Sequence, residues 1–324
     1  MTISYIPKIS FIIVSYNSLD YIKKLLDSFK GLKCSGGFEI IIADNCSGDK
    51  SIEFLEKAAS QTENMIFLKL GENGGFAKAS NAAADLASGE FLVFLNPDTA
   101  FIDNDLDKIV DFYNQKKQQQ LNIGLVGVKT INEDGSIQLS CRAFPTLARQ
   151  FYESSFLFKI FKRSKILGSY FMTWYDHKTS IAADWVSGSF MFIKKGLFKE
   201  LGGFDEIYFM YSEDTDLCLK LKRKGYVNYY YADFQILHYD GALANKNKPE
   251  RIASIWHSRY IYFKKNYGIV HAKTQSILFL KGVLLRMLLF FVLYIFTLKS
   301  FYKKRLKTYA FSLKIYYKKS HDFK

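Results

Sequence analysis

Short apolar runs and longer periodic ones alternate through the first hundred residues of the chain. Ile9–Val14, Phe38–Ala43, Met65–Leu70 and Phe91–Leu95 are dense in Ile, Val, Leu and Phe, which predicts strands buried on both faces. Between the first two, Leu19, Ile22, Leu25, Leu26 and Phe29 recur at helical spacing, predicting a helix over Leu19–Lys30 with Ser18 as N-cap and Gly31 as stop. Ile52–Ala59 and Phe76–Ala87 read as the next two helices. This cadence predicts right-handed βαβ units and a parallel, doubly wound sheet. Further along, Ile123–Val128, Ser189–Lys194 and Val227–Ala232 read as strands, and a helix runs from the acidic stretch after Tyr211 to Lys224. Phe144–Phe171 is aromatic and basic without clean periodicity, a loop or a helical lid.

In such sheets ligands bind beyond the carboxyl ends of the strands. The segments there are polar: Ser15-Tyr16-Asn17, Asp44-Asn45-Cys46-Ser47-Gly48-Asp49, Gly71-Glu72-Asn73-Gly74-Gly75 and Asn96-Pro97-Asp98. Any one of them is explained as a turn. Four at one sheet edge, several carrying an acid or amide, point to a site. No G-x-G-x-x-G follows the first strand and no G-x-x-x-x-G-K-[ST] occurs, which counts against a dinucleotide oxidoreductase and a P-loop NTPase.

Composition adds two constraints. With 324 residues, 49% hydrophobic and 23% charged, the chain has material for one large α/β domain and an appendage, which excludes disorder as its main state. Its four scattered cysteines make no Cys-x-x-Cys pair and suit a reducing cytoplasm, and no secretory signal precedes Ile9. Charge is placed unevenly. From Arg251 onward there are 16 Lys and Arg against one acid, Asp322, while the whole chain carries +14, so residues 1–250 are close to neutral. Within this basic tail Ile277–Leu298 is long enough to span a bilayer but contains Lys281 and Arg286, each costing about 2.5–3.5 kcal/mol near a span's centre. Beyond it Leu306, Tyr309, Leu313 and Tyr316 or Tyr317 recur at helical spacing among lysines and Arg305, the composition of an amphipathic helix on an anionic leaflet. A shallow anchor is therefore expected, with packing on the catalytic domain or a homodimer interface as the alternative for Ile277–Leu298. Aromatics among basic residues could also stack nucleic-acid bases, but no nucleic-acid module is present.

The helix after Tyr211 opens with Glu213, Asp214 and Asp216, and Asp214 shares a face with Leu217, Cys218 and Leu221. An acid there is either a cap complementing the helix dipole or a carboxylate held at the sheet mouth as a base. Three acids exceed what one cap requires.

Taken in order, Val14-Ser15-Tyr16-Asn17, Asp44-Asn45-x-Ser47-x-Asp49, Asn73-x-Gly75-Phe76-Ala77-x-Ala79-x-Asn81, Leu95-Asn96-Pro97-Asp98, Trp185-x-x-Gly188, Gly203-Phe204-Asp205-Glu206 and Glu213-Asp214-x-Asp216 resemble the inverting family 2 glycosyltransferases of GT-A fold. The nearest resemblance is to bacterial rhamnosyltransferases that build O-antigen and other cell-surface polysaccharides. It implies a single Rossmann-like mixed sheet flanked by helices over residues 1–265, with a helical, membrane-associating tail over 266–324. It further implies a nucleotide-sugar donor, a lipid-linked polyprenyl diphosphate saccharide as acceptor, and work at the cytoplasmic face of the plasma membrane. Mg²⁺ or Mn²⁺ would be held by Asp98 and His238, although Asn96 stands where the family's Asp-x-Asp motif has its first acid. Asp214 would be the general base. Tyr16 and Asn17 would line the nucleobase pocket, Asp44 would read the base and Asn45 would contact the donor; Lys78 and Asn81 would touch the diphosphate or ribose, and Asn96 the donor sugar or ribose. Trp185 would stack on a sugar face or be buried core, and Glu213 would face the acceptor. The competing function is a catalytically silent sugar-nucleotide or glycan-binding module on the same fold, favoured by Asn96 and opposed by the intact Glu213-Asp214-x-Asp216.

Overall fold

A computed structural model describes residues 7–239 and 248–321, with side chains through Lys318. Strands β1 (Ile9–Ser15), β2 (Phe38–Asp44), β3 (Met65–Lys69) and β4 (Phe91–Leu95) alternate with helices α1 (Leu19–Ser28), α2 (Ser51–Gln61) and α3 (Gly75–Asp85). Then come β5 (Thr99–Phe101), α4 (Asp107–Gln118), β6 (Ile123–Ile131), β7 (Cys141–Arg142), α5 (Leu147–Ser154) and α6 (Leu157–Ile160). After these come β8 (Ile181–Ala183), β9 (Trp185–Val186), β10 (Phe190–Lys194), α7 (Lys195–Glu200), α8 (Glu213–Arg223) and β11 (Val227–His238). Three long helices follow, Lys248–Tyr267, Ile269–Thr297 and Ser300–His321.

The nine-stranded sheet has the order β3-β2-β1-β4-β10-β6-β11-β5, with β8 also on β11. Its first four strands are parallel, as the βαβ cadence requires; β10 enters antiparallel between β4 and β6 and makes the sheet mixed. All seven residues of β1 and all five of β4 are buried. Phe11 packs edge-on against Phe29, Phe38 and Phe101 with ring centroids 4.9, 5.7 and 5.6 Å away. Pairs of this kind add about 0.5–1.5 kcal/mol beyond the area they bury.

Two local expectations change. Ser18 stands at the start of α1 without capping it; its hydroxyl pairs with that of buried Ser15 at 3.0 Å. The strand expected over Val227–Ala232 continues to His238 through a register shift between Tyr231 and Gln235. Asp233 turns outward at that shift, and Gln235 N–H donates to Asp103 Oδ2 at 2.8 Å. The polar interruption reads as a strand end in one dimension, and the shift absorbs it.

The chain divides into two compact units. The first comprises Met1–Ala143, Asp176–Phe209 and Glu213–Asp240; the second comprises Phe144–Tyr175, Met210–Ser212 and Gly241–Lys324. The Phe144–Phe171 region thus groups with the C-terminal helices, the Lys248–Tyr267 helix among them. Within the second unit Trp256 stacks between Tyr316 (3.6 Å) and Phe279 (4.8 Å). Buried Arg259 donates to Gln150, Glu153 and the Tyr170 hydroxyl at 2.7–2.8 Å. Lys281 lies 4.5 Å over the Phe151 ring, and Arg286 lies 4.5 Å over Phe156 and donates to Glu153 O. The two charges of the apolar stretch therefore face protein.

Candidate active site

The polar segments after β1, β2 and β3 form a linked rim. Asp44 is fully enclosed; its Oδ1 accepts from Ser47 N–H at 2.8 Å and its Oδ2 from the Ser47 hydroxyl at 2.6 Å. Ser47 Oγ accepts from Asn17 N–H, and Asn17 Oδ1 accepts from Gly48 N–H, both at 2.8 Å. Asn17 sits at φ +48°, a left-handed conformation that Asn tolerates. Asn45 donates to Asn73 Oδ1 and accepts from Gly74 N–H. Asp44 and Asn45 thus shape two loops from within, while Tyr16 remains 48% exposed at the rim.

Helix α3 starts against this rim. Its first amides are spent internally: Gly74 N–H on Asn45, Gly75 N–H on Asn73 and Phe76 N–H on the carbonyl of Phe209. Those three donors are therefore already engaged within the protein. Lys78 pairs with Glu72 at 2.8 Å on the surface. Asn81 clamps the 203–206 turn, donating to Phe204 O and Glu206 Oε1 and accepting from Phe204 N–H. Gly75 (φ +87°) is required, because a Cβ there would lie 2.2 Å from Phe209 O. Buried Tyr208 ties the same loop to α8 by donating to Asp216 Oδ1 at 3.2 Å. Asn81 is thus a loop clamp, a role sequence reasoning missed.

Trp185 is core. Its indole is 6% exposed, donates to Ala143 O at 2.9 Å and lies under the Arg142 guanidinium at 5.0 Å. Of its two alternatives the buried one holds.

Two pairs retain chemistry. The first arises at the ends of β4 and β11. Thr99 closes the turn after β4 by donating to Asn96 O, and its register opposite His238, with Tyr239 N–H on Asp98 O, brings Asp98 beside His238. Asp98 Oδ1 and His238 Nε2 stand 3.2 Å apart. Two adjacent ligands of an octahedral cation at about 2.1 Å would be roughly 3.0 Å apart, so the donor set suits a hard divalent ion. Among the described residues no third acid, His or Cys joins them, so of such ligands the protein would supply these two. Half-buried Asn96 lies at the same turn. The other His238 nitrogen, Nδ1, meets Gln138 Oε1 at 2.9 Å, a partner 100 residues away that no local pattern signals.

The second pair heads α8. Leu217, Cys218 and Leu221 are fully buried, as the helical stripe predicts. Asp214 reaches back to Gly188: its Oδ2 accepts Gly188 N–H at 3.1 Å and its Oδ1 accepts Thr215 N–H at 2.6 Å. Glu213 is buried with Oε2 lacking a hydrogen-bond partner among the described residues. Burial holds the Glu213 carboxyl well above the usual carboxylate range, and the Asp214 charge pushes it the same way. Burial also raises Asp214, opposed by the Thr215 and Gly188 amides and by Arg142. Two adjoining carboxyls with raised proton affinity are the material of a base.

Two family models now match this chain: Glycosyl transferase family 2 over residues 10–163 and Glycosyl transferase family group 2 over residues 93–317. The chain belongs to the family 2 glycosyltransferases. Among curated relatives of this glycosyltransferase, rhamnosyltransferase WbbL of Escherichia coli (strain K12) is 29% identical over 237 residues, covering 70% of this chain and 82% of the relative. The N-acetylglucosaminyl-diphospho-decaprenol L-rhamnosyltransferase of Mycobacterium tuberculosis is 25% identical over 266 residues, covering 79% and 83%. Among solved structures, mannosyltransferase PcManGT from Pyrobaculum calidifontis, in complex with GDP-Man and Mn²⁺, superposes with a TM-score of 0.53 at 15% identity, covering 96% of this chain and 86% of that one. At that identity the likeness establishes the GT-A fold of the glycosyltransferase, as its mixed, helix-flanked sheet indicates.

Proposed function

We propose that this glycosyltransferase moves L-rhamnose from dTDP-L-rhamnose, with inversion, onto a lipid-linked saccharide carried on polyprenyl diphosphate during cell-surface polysaccharide synthesis. The observation that carries the reading is the presence, in one unit, of an Asp98–His238 donor pair and a buried Glu213-Asp214 pair. The relatives' named activities supply the sugar and the class of acceptor. In the reaction an acceptor hydroxyl oxygen bonds the anomeric carbon as the bond from that carbon to the diphosphate breaks, and Asp214 takes the hydroxyl proton. Asp98 and His238 would hold Mg²⁺ or Mn²⁺, which when bound neutralises charge developing on the leaving diphosphate. The Asn17–Ser47–Asp44 rim, with Tyr16 exposed beside it, would border the nucleobase, and Asn96 the donor sugar. A donor screen tests the proposal: dTDP release from dTDP-L-rhamnose with a lipid-linked GlcNAc acceptor is expected, and turnover of UDP-glucose or UDP-galactose without dTDP-rhamnose would overturn it.

The proposed place of work is the cytoplasmic leaflet. Ile269–Thr297 is long and apolar enough, by length and composition, to cross a membrane, and 11% of its most apolar window is buried in the structure. Leu284, Leu288, Phe291, Ile295, Phe296 and Leu298 are exposed, and Lys303, Lys304 and Lys307 are exposed on the next helix. With Lys281 and Arg286 held against protein, we read a helical pair seated shallowly in an anionic surface. Ending the chain near Lys273 would strip α5 of its packing partner, so point changes are the better test. Replacing Lys303, Lys304 and Lys307 with Gln should remove about 3 kcal/mol, roughly 100-fold, of binding to phosphatidylglycerol vesicles. Equal binding by the triple variant, or none by the wild type at low salt, contradicts the anchor.

A further inference from the structure

We infer that Gln138 is a positioning residue that fixes the His238 ring and its tautomer, turning a bare Nε2 toward Asp98. The inference rests on the cation reading of Asp98 and His238 given above, and it follows from hydrogen-bond bookkeeping. The His238 carbonyl can only accept, and Gln138 Nε2 donates to it at 2.8 Å and to Asn132 Oδ1 at 2.6 Å. With the amide nitrogen so committed, the atom 2.9 Å from His238 Nδ1 is Oε1, an acceptor. Nδ1 therefore carries a hydrogen, and in the neutral ring Nε2 is the unprotonated nitrogen. That is the form that ligates a cation, with its outer nitrogen held by an amide oxygen. In that neutral form Nε2 would face Asp98 Oδ1 at 3.2 Å lone pair to lone pair, an arrangement that a shared cation relieves.

The fold places Gln138 there through a hairpin. Strands β6 and β11 run in parallel register, Thr130 beside Ile236 and Ile131 beside Leu237. The chain then reverses at Asn132–Ser136, with Gly135 at φ +78° and Asn132 N–H donating to Ser136 O. An Ile131–Ile137 bridge and a bond from Gln138 N–H to Thr130 O return Gln138 to the end of β11. Asn132, at the turn, accepts from Gln138 and orients its amide. One hairpin thus fixes the direction of a side chain on another strand.

The test uses the full-length protein. In ¹⁵N-histidine spectra without metal, with the His238 signal assigned by its loss in His238→Ala, the neutral ring should be the Nδ1–H form in the wild type and a tautomer mixture in Gln138→Ala. Mn²⁺ titration followed by electron paramagnetic resonance, at saturating dTDP, should give a Kd about 10–100-fold weaker in Gln138→Ala and Gln138→Leu. Gln138→Glu keeps an acceptor for Nδ1–H and should recover most of the affinity. A predominantly Nε2–H ring in the wild type overturns the inference. So does wild-type Mn²⁺ affinity in a folded Gln138→Ala protein, even one with a lowered Tm, since a merely structural role would move Tm alone. If the alanine and leucine variants do not fold, Gln138→Glu decides, and a 10-fold or greater loss of affinity in it overturns the inference. Mn²⁺ binding that is absent in the wild type, or unaltered in Asp98→Ala, defeats the cation reading instead, and the tautomer of His238 still decides whether Gln138 sets it.

Discussion

Asp214→Asn should lower kcat by 10²–10⁴, the range general-base catalysis contributes, with the fold retained by circular dichroism. The variant keeps the size of the side chain and an acceptor oxygen for one of the two backbone amides, Gly188 and Thr215, that Asp214 engages. What it loses is the capacity to take a proton. An acid acting only as a helix cap would lose little on this change, so near wild-type turnover would return Asp214 to a structural role. The pH profile gives a second measurement. Burial raises the Asp214 proton affinity, so the base is increasingly protonated as pH falls through its raised pKa. The acid limb of kcat should therefore lie above the ordinary carboxylate range. Because Glu213 adjoins it and is raised further by burial and by the Asp214 charge, the limb belongs to the pair rather than to either carboxyl.

Asp98→Ala should reduce transfer by about 10³-fold or more, and excess EDTA should do the same to the wild type. Stabilising charge on a leaving diphosphate is worth several kcal/mol, and each 1.36 kcal/mol is tenfold in rate. Asp98 is the acid facing His238 at the turn after β4, where Asn96 can offer only a neutral amide. His238→Ala should show a smaller loss of the same kind, recovered in part by raising Mn²⁺. Full activity of the Asp98 variant, or of the wild type in excess EDTA, would remove the metal from the mechanism.

Much of this architecture was legible along the chain because it rests on local periodicity. Strands buried on both faces must be continuous apolar runs and helices must repeat near 3.6 residues, so β1 to β4 and α1 to α3 were placed within two residues at their ends. The ordered motifs resemble the family's, and the polar segments among them lie at the edge where such sheets bind ligands. The buried stripe of α8, and with it the place of Asp214, was likewise legible from spacing. Sequence could not say what each polar side chain would spend its hydrogen bonds on. Asn81 serves a turn more than 120 residues away, Gly75 makes room for the Phe209 carbonyl, and the Trp185 indole is taken by Ala143. Those partners are set by strand order and loop packing, which no local window contains. The same holds for Gln138, which has no motif of its own and meets His238 only because β6 lies beside β11. Sequence determined which residues could do chemistry, since side-chain type and strand ends are local properties. Tertiary structure decided which of them remain available for it, because a donor or acceptor already satisfied inside the fold has little left for a ligand.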